Sequence, residues 1–477
     1  MTRTGQPSPA ATVTVAAGGT FVALVFFTSA IAQIASLSSA LDAGPGAQSW
    51  ILASMSVGLA AGLLVTGALG DLYGRRMMFG IGAVVLAAGG LLGVTDASPA
   101  IFVVARVIQG LGAAAVISCG LGLIAQVRPT GPDRVRATAV WGSSVGAGIA
   151  IGPILVTLVD RGLGWRWPYL ILALLALVLA ALTLALTPAD PPRGRGSVDV
   201  PGAVLIGVST SLLLSGLVTG RAGWNRALPW TLLLAAVVAM GAFGWVQARK
   251  AARGGRPLLD PALFRRPDFV GATVAGLATG TGVIAAMSFA PAVVGRGLGG
   301  SAVEAALLLG LWSVTSVPVA LLARRLPLGG TAQLVLGLSV TAVGLLALTG
   351  IHDGSGFGRL VPGLVVAGIG SGVLNAALGR MAVASVPPAL AAMGSGANNT
   401  ARYLGSAIGV TAVSVLVGTE PAGIFTGWTH AMWFTAGVSV LGAVAVLACL
   451  GWARRGAVAG LAQGGGAEQL SPTTGSG

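Results

Sequence analysis

Charge is scarce in this chain. Asp, Glu, Lys and Arg make up 8% of its 477 residues, against about 25% in an ordinary soluble domain, which excludes a water-soluble globular fold for most of its length. Lysine is reduced to Lys250, so arginine carries the positive charge throughout. Acidic side chains number 13 against 27 basic ones, and none falls in the middle of an apolar run. The two cysteines, Cys119 and Cys449, lie inside apolar runs and suggest neither a disulfide framework nor a metal site. His352 and His430 stand apart without H-E-x-x-H spacing, and no G-x-x-x-x-G-K-[ST] loop occurs. Neither metalloenzyme chemistry nor an ATP-driven pump built from this chain alone is supported. No cofactor and no enzymatic activity are expected.

What is present is apolar. The chain is 55% hydrophobic, with a mean hydropathy of +0.89. Fourteen apolar runs follow one another, each near the ~20 residues that cross a bilayer. The first is placed at 19–41, the thirteenth at 396–418 and the last at 430–452. The expected class is therefore an all-α polytopic membrane protein. A net charge of +14 would suit a nucleic-acid partner if it formed one patch, but the basic residues are spread over many short connections. They read as topology signals. Most lie on the side of the N-terminus, Arg402 among them, whereas Arg161, Arg166, Arg221, Arg226, Arg296 and Arg359 lie opposite. The positive-inside rule then puts both termini in the cytoplasm, with the chain in the inner (cytoplasmic) membrane. Its expected partners are a lipophilic small molecule, membrane lipids and, on one reading, protons; no nucleic acid and no second copy are expected.

Between the second and third runs lies Gly67-Ala-Leu-Gly70-Asp71-Leu-Tyr-Gly74-Arg75-Arg76-Met77. Its spacing resembles the signature loop of major facilitator superfamily transporters, with Leu72 where the family often has a basic residue. The resemblance implies that Asp71 and the arginines hold two halves together on the cytoplasmic side. Asp71 should then meet the cytoplasmic end of the thirteenth helix, near Asn398–Arg402. Further matches follow in order. Arg106-Val-Ile-Gln109-Gly-Leu-Gly is similar to the fourth-helix motif, and Gly148-Ile-Ala-Ile-Gly152-Pro153 to the antiporter motif of the fifth. Gly394 to Gly405, with Arg402 inside, is similar to a thirteenth-helix motif of the 14-span drug:proton antiporter branch. That branch implies two six-helix halves, 19–187 and 269–452, around an inserted pair, 202–248. Cytoplasmic linkers at 188–201 and 249–268 and tails at 1–18 and 453–477, the latter disordered, complete the expected layout.

The candidate site follows from rarity of charge. Arg106 is the one charge placed well inside a span, where burial is tolerated only beside a partner or a wet cavity. It is expected to face a central cavity with Gln109 on the same helical face, its donors met by neutral acceptors on the first helix: Gln33, Ser36 and the backbone carbonyls near them. Met287, Trp312, Asn375 and Asn398 are candidate substrate contacts, and Gly148, Gly152 and Pro153 a candidate kink. Thr28 stands where the drug branch commonly has an acid. An arginine cannot carry a proton near neutral pH, so proton coupling either uses an acid at the outer mouth or is absent. The leading expectation is a secondary transporter that exports lipophilic drugs or secondary metabolites by alternating access. Uptake of a small anionic solute and a non-transporting sensor are the alternatives.

Overall fold

The computed structural model describes residues 8–95, 98–190, 199–221, 223–418 and 423–467. Side chains beyond Trp452, and those of Pro45, Ala302 and Ala306, lie outside that description. Fourteen helices are long and apolar enough to cross a membrane. In chain order they are α1 (Pro9–Ala32), α2 (Gly46–Tyr73), α3 (Arg75–Gly93), α4 (Pro99–Val127), α5 (Gly131–Leu163), α6 (Arg166–Leu186) and α7 (Val200–Arg221). They continue with α8 (Ala227–Ala252), α9 (Pro267–Gly297), α10 (Val303–Arg325), α11 (Gly330–Ala347), α12 (Phe357–Ala384), α13 (Pro388–Val417) and α14 (Ile424–Trp452).

Local signals set the ends. Ser8 caps α1 by accepting from the Ala11 N–H at 3.1 Å, with Pro9 just inside the helix. Ser301 and Glu304 form a reciprocal capping box at the start of α10. Gly74, at φ 125°, makes the α2–α3 turn that an L side chain rarely adopts. Three sequence-based boundaries change. The expected tail at 1–18 is helical from Pro9, with Thr12, Val15, Ala16 and Ala17 buried inside protein rather than left in water. The thirteenth helix starts at Pro388, eight residues before the expected 396. The backbone of α14 runs on as helix to Ala467, past the expected tail boundary at 453. Residues 1–7, 191–198 and 468–477 of the expected tails and first linker lie outside the described residues.

Helix packing repeats. Within residues 9–186, α2 and α3 both pack on α4, α1 on α5, and α3 on α6. Within 267–452, α10 and α11 pack on α12, α9 on α13, and α11 on α14 in the same pattern. The two halves meet through α2 against α13 and, in the equivalent place, α5 against α10. Small residues make these contacts close. A Cβ at Gly148 would fall 2.7 Å from Leu24 Cβ and one at Gly152 2.6 Å from Thr28 Oγ1, so the glycines four apart on α5 let it lie directly on α1. The helix Gly131–Leu163 continues through Pro153. The pair α7–α8 stands outside both halves, with α7 touching α2 and α13.

Candidate functional site

At the end of the molecule that carries the α2–α3 turn, the two halves are locked together. Asp71 accepts from the backbone N–H groups of Ala392 at 3.2 Å and Met393 at 2.7 Å, in the first turns of α13. A helix N-terminus carries about half a positive charge, so a carboxylate is stabilised there. Arg75 completes the lock. Its Nε donates to Asp71 at 2.8 Å, its Nη1 to Gly122 O at 2.9 Å and its Nη2 to Pro388 O at 2.7 Å. One guanidinium thus ties α3 to α2, to α4 and to the start of α13. Gly67 lies directly against the backbone of Ala392, and a Cβ at Gly70 would fall 2.5 Å from Cys119 Sγ, so neither position has room for a side chain. Arg76 donates to Leu184 O on α6. Asp71 therefore meets α13 at Ala392 and Met393, not near Asn398–Arg402, because the helix begins earlier than its hydropathy indicates.

Sequence reasoning missed Asp190 at this turn. Its carboxylate accepts from the N–H groups of Arg75 at 2.7 Å and Arg76 at 3.1 Å, capping α3 from across the chain. The only local sign was an acid just after α6, and nothing in the sequence joins it to a turn 115 residues earlier.

Between the halves lies an apolar cleft of about 80 Å³, lined by Leu24, Phe27, Thr28 and Ile31 of α1, by α5 at Ile149 and Pro153, and by α9, α10 and α13. A smaller recess of about 30 Å³ adjoins it, lined by Met287, Trp312, Ser371, Asn375 and Arg402 among others. Met287, Ile149, Ile284 and Arg402 line both. Trp312 donates its indole N–H to Ser371 Oγ at 3.1 Å, which fixes the ring beside the recess. At the end of the cleft away from Asp71, Ile31 is 41% exposed.

Arg106 is not on this cavity. It is fully buried between α4 and α1, where Nη1 donates to Phe26 O at 2.6 Å and Gln109 Oε1 at 3.0 Å, and Nη2 to Phe27 O at 3.1 Å. Gln109 in turn donates to Gly89 O on α3 at 3.0 Å. Neutral acceptors on the first helix do meet the guanidinium, but they are the main-chain carbonyls of Phe26 and Phe27, about two to three turns before Gln33 and Ser36. Gln33 donates instead to Trp165 O at 3.1 Å, and Ser36 to Asp160 Oδ2 at 2.7 Å. Both face the α5–α6 connection because α1 breaks at Gln33 before the short helix Ile34–Ala40. Asn398 is also off the cavity; its amide donates to Ala272 O of α9 at 2.7 Å.

The charge on the cavity is Arg402, which the charge count places at the cytoplasmic side. It lies in the middle of α13, is 6% exposed, and its Nε has no hydrogen-bond partner. Among the described residues, acids inside the spans occupy only the first or last turns: Asp71, Asp133, Asp160, Asp268 and Glu304. None lines the cleft or the recess.

The fold and the locked turn together set the comparison with known proteins. The Major Facilitator Superfamily profile matches residues 15–410. The chain belongs to that superfamily. It is a multi-pass membrane transporter and not an enzyme. Among curated relatives, it is 34% identical over 379 residues to a probable actinorhodin transporter of Streptomyces coelicolor, covering 77% of this chain and 65% of that protein's length. It is 31% identical to a cephamycin export protein of Amycolatopsis lactamdurans, over 88% of each chain. Among solved structures, a proton:xylose symporter aligns with a TM-score of 0.66 at 15% identity, over 91% of this transporter and 94% of that chain. This last likeness is one of fold.

Proposed function

We propose that this transporter exports lipophilic small molecules, drugs or secondary metabolites, across the cytoplasmic membrane, as a monomer with its termini and the Asp71 lock on the cytoplasmic side. The observation that carries the reading is the asymmetry of its two ends. Asp71 and Arg75 close one end onto α13, while the cleft between the halves runs toward the other at Ile31. That is a conformation closed on the lock side, and rocking the halves about the central cleft would break Asp71–Met393 and expose the cleft there instead. The apolar lining suits a lipophilic body, and the curated relatives above are named for transport or export of antibiotics. With no acid on the cavity, a moving proton would have to use a group near the outer end, such as Asp160.

The test is transport by the full chain in everted vesicles, across a panel of lipophilic antibiotics and small hydrophilic anions, with and without an imposed pH gradient. Accumulation of lipophilic compounds is expected. Movement of hydrophilic anions alone would favour uptake, and no movement of any compound would favour a sensor. The pH-gradient arm separates coupling through an outer acid from none.

A further inference from the structure

We propose that Arg402 is an anion subsite of the central cavity, which takes the ionised carboxylate or phenolate of an otherwise lipophilic substrate. The inference deepens the export reading above and rests on it for the direction of transport, but not for binding. A guanidinium presents five N–H donors and does not shed its proton in a protein. Buried without acceptors it is costly, so a stable fold normally supplies them. Here it does not: Arg402 Nε is buried with no partner, and no described residue gives the side chain a hydrogen bond or ion pair. The residue lines both the cleft and the recess, so the donors face the space a ligand would occupy.

Three further observations support it. Asn375 Oδ1, on the wall of the same recess, is also buried and unpartnered, an acceptor for a substrate hydroxyl or amide. The remaining walls are uncharged, apolar at Ile149, Ile284, Met287 and Trp312 with hydroxyls at Thr279, Ser313, Ser316 and Ser371, and the adjacent titratable group is the Tyr403 phenol rather than an acid. The compensating charge must therefore arrive with the ligand. Finally, α9 makes a π-helical turn at Thr279–Ile284 where it crosses α13; such turns are frequent at functional sites. Gly280 of that turn lies against Arg402 O, while Gly405 and Gly409 of α13 lie against Leu277 O and Thr281 O. The backbone beneath Arg402 is thus clamped, and the side chain projects from a rigid base.

The experiment measures equilibrium binding to the purified full chain in lipid nanodiscs, with 1-naphthylacetate and its neutral isostere 1-naphthylacetamide as probes. Wild type is expected to bind the acid about tenfold or more tighter than the amide, the scale of a charge-assisted hydrogen bond. Arg402→Gln should weaken the acid alone and abolish the difference, while Arg402→Lys should restore part of it. Helix content and monodispersity check that each variant is folded. The proposal is overturned if wild type fails to bind the acid or binds both probes alike, or if Arg402→Gln weakens both alike, which would mark a packing role. Displacement of the acid by an equal concentration of chloride would overturn the lipophilic class. Because binding is read without transport, failure of the export reading leaves this result standing, and the reverse also holds.

Discussion

Arg106 and Arg402 are both buried well inside spans of this transporter, and they are opposites. Arg106 on α4 has main-chain carbonyls of α1 and the Gln109 amide arranged around its terminal nitrogens, and it lines neither the cleft nor the recess. Arg402 on α13 has no hydrogen-bond or ion-pair partner among the described residues and lines the cavity between the halves. A charge inside a membrane domain is therefore not a site by virtue of being there. The first is spent on holding α4 to α1, and only the second is free to meet a ligand. What separates them is the supply of acceptors: the Phe26 and Phe27 carbonyls and the Gln109 amide lie within reach of Arg106, whereas α9 and α13 press together through glycines and no described residue offers Arg402 an acceptor.

The contrast can be broken most directly by stability. Arg106→Ala leaves the Gln109 oxygen without a donor and takes a charged donor from the Phe26 and Phe27 carbonyls, and should destabilise the protein by roughly 2–6 kcal/mol. Arg402→Ala removes a charge with no partner and should stay within about 1 kcal/mol of wild type or gain stability. Thermal unfolding of both variants in one detergent measures this; equal losses would mean that Arg402 is structural as well. A second variant gives the unpartnered arginine a partner. Thr28 lines the same cleft, so Thr28→Asp is expected to pair with Arg402, to cut the preference for an acidic ligand about tenfold and to bring a dependence on the pH gradient. Unchanged preference would place the two side chains out of reach of each other.

The smallest effect concerns Asp199, a buried charge of intermediate kind just before α7. Burial pushes its carboxyl up, but donors from Gln247 at 2.8 Å, Lys250 at 3.0 Å and the Leu258 N–H at 3.0 Å outweigh this and hold it below the usual carboxylate range. A lowered native value means that the stabilisation is complete above the unfolded-state pKa, near 3.9, and is lost as pH falls through the native one. Asp199→Asn should remove that acid-side loss and cost about 1 kcal/mol or less near neutrality. Unfolding midpoints across pH 3 to 7 check it, and parallel curves for the two proteins would dissociate Asp199 from the acid limb.

The turn at Gly67–Arg76 was legible because its chemistry is local: glycines for close approach, an acid and arginines at fixed spacing on one short connection. The spans were legible for the same reason that lipid selects them. Arg402 reads as lying at the cytoplasmic side because the stretch before it, Gly394-Ser-Gly-Ala-Asn-Asn-Thr400, is too polar to resemble the interior of a span, which sets the expected helix start at 396 rather than Pro388. Hydropathy measures suitability for lipid, and this stretch meets protein instead; Ser395 is fully buried and Asn398 and Asn399 are each 4% exposed. Ten residues at the start of α1 were misread in the same way. Arg106 misled in the other direction, since a lone charge in a span signals burial but not which neighbours satisfy it. Asp190 was beyond sequence reasoning because its partners are set by tertiary packing.

The inserted pair has a mechanical consequence. Every directional bond from α7 and α8 named here runs among themselves or toward the second half: Asp199 and Gln247 to the segment leading into α9, and Arg221 Nε to Thr411 Oγ1 of α13 at 3.4 Å. Toward the first half the contact is grease, with Ile206 and Phe243 clustered with Leu64 of α2. Oily contacts have no preferred register and can slip, whereas a carboxylate held by several donors cannot. Were α2 to part from α13 as the export reading requires, the pair would travel with the second half and slide across α2 like a gasket. That seam would stay closed to acyl chains, and a lipophilic cargo coming from the bilayer would be left with the opposite seam, between α5 and α10, as its side door.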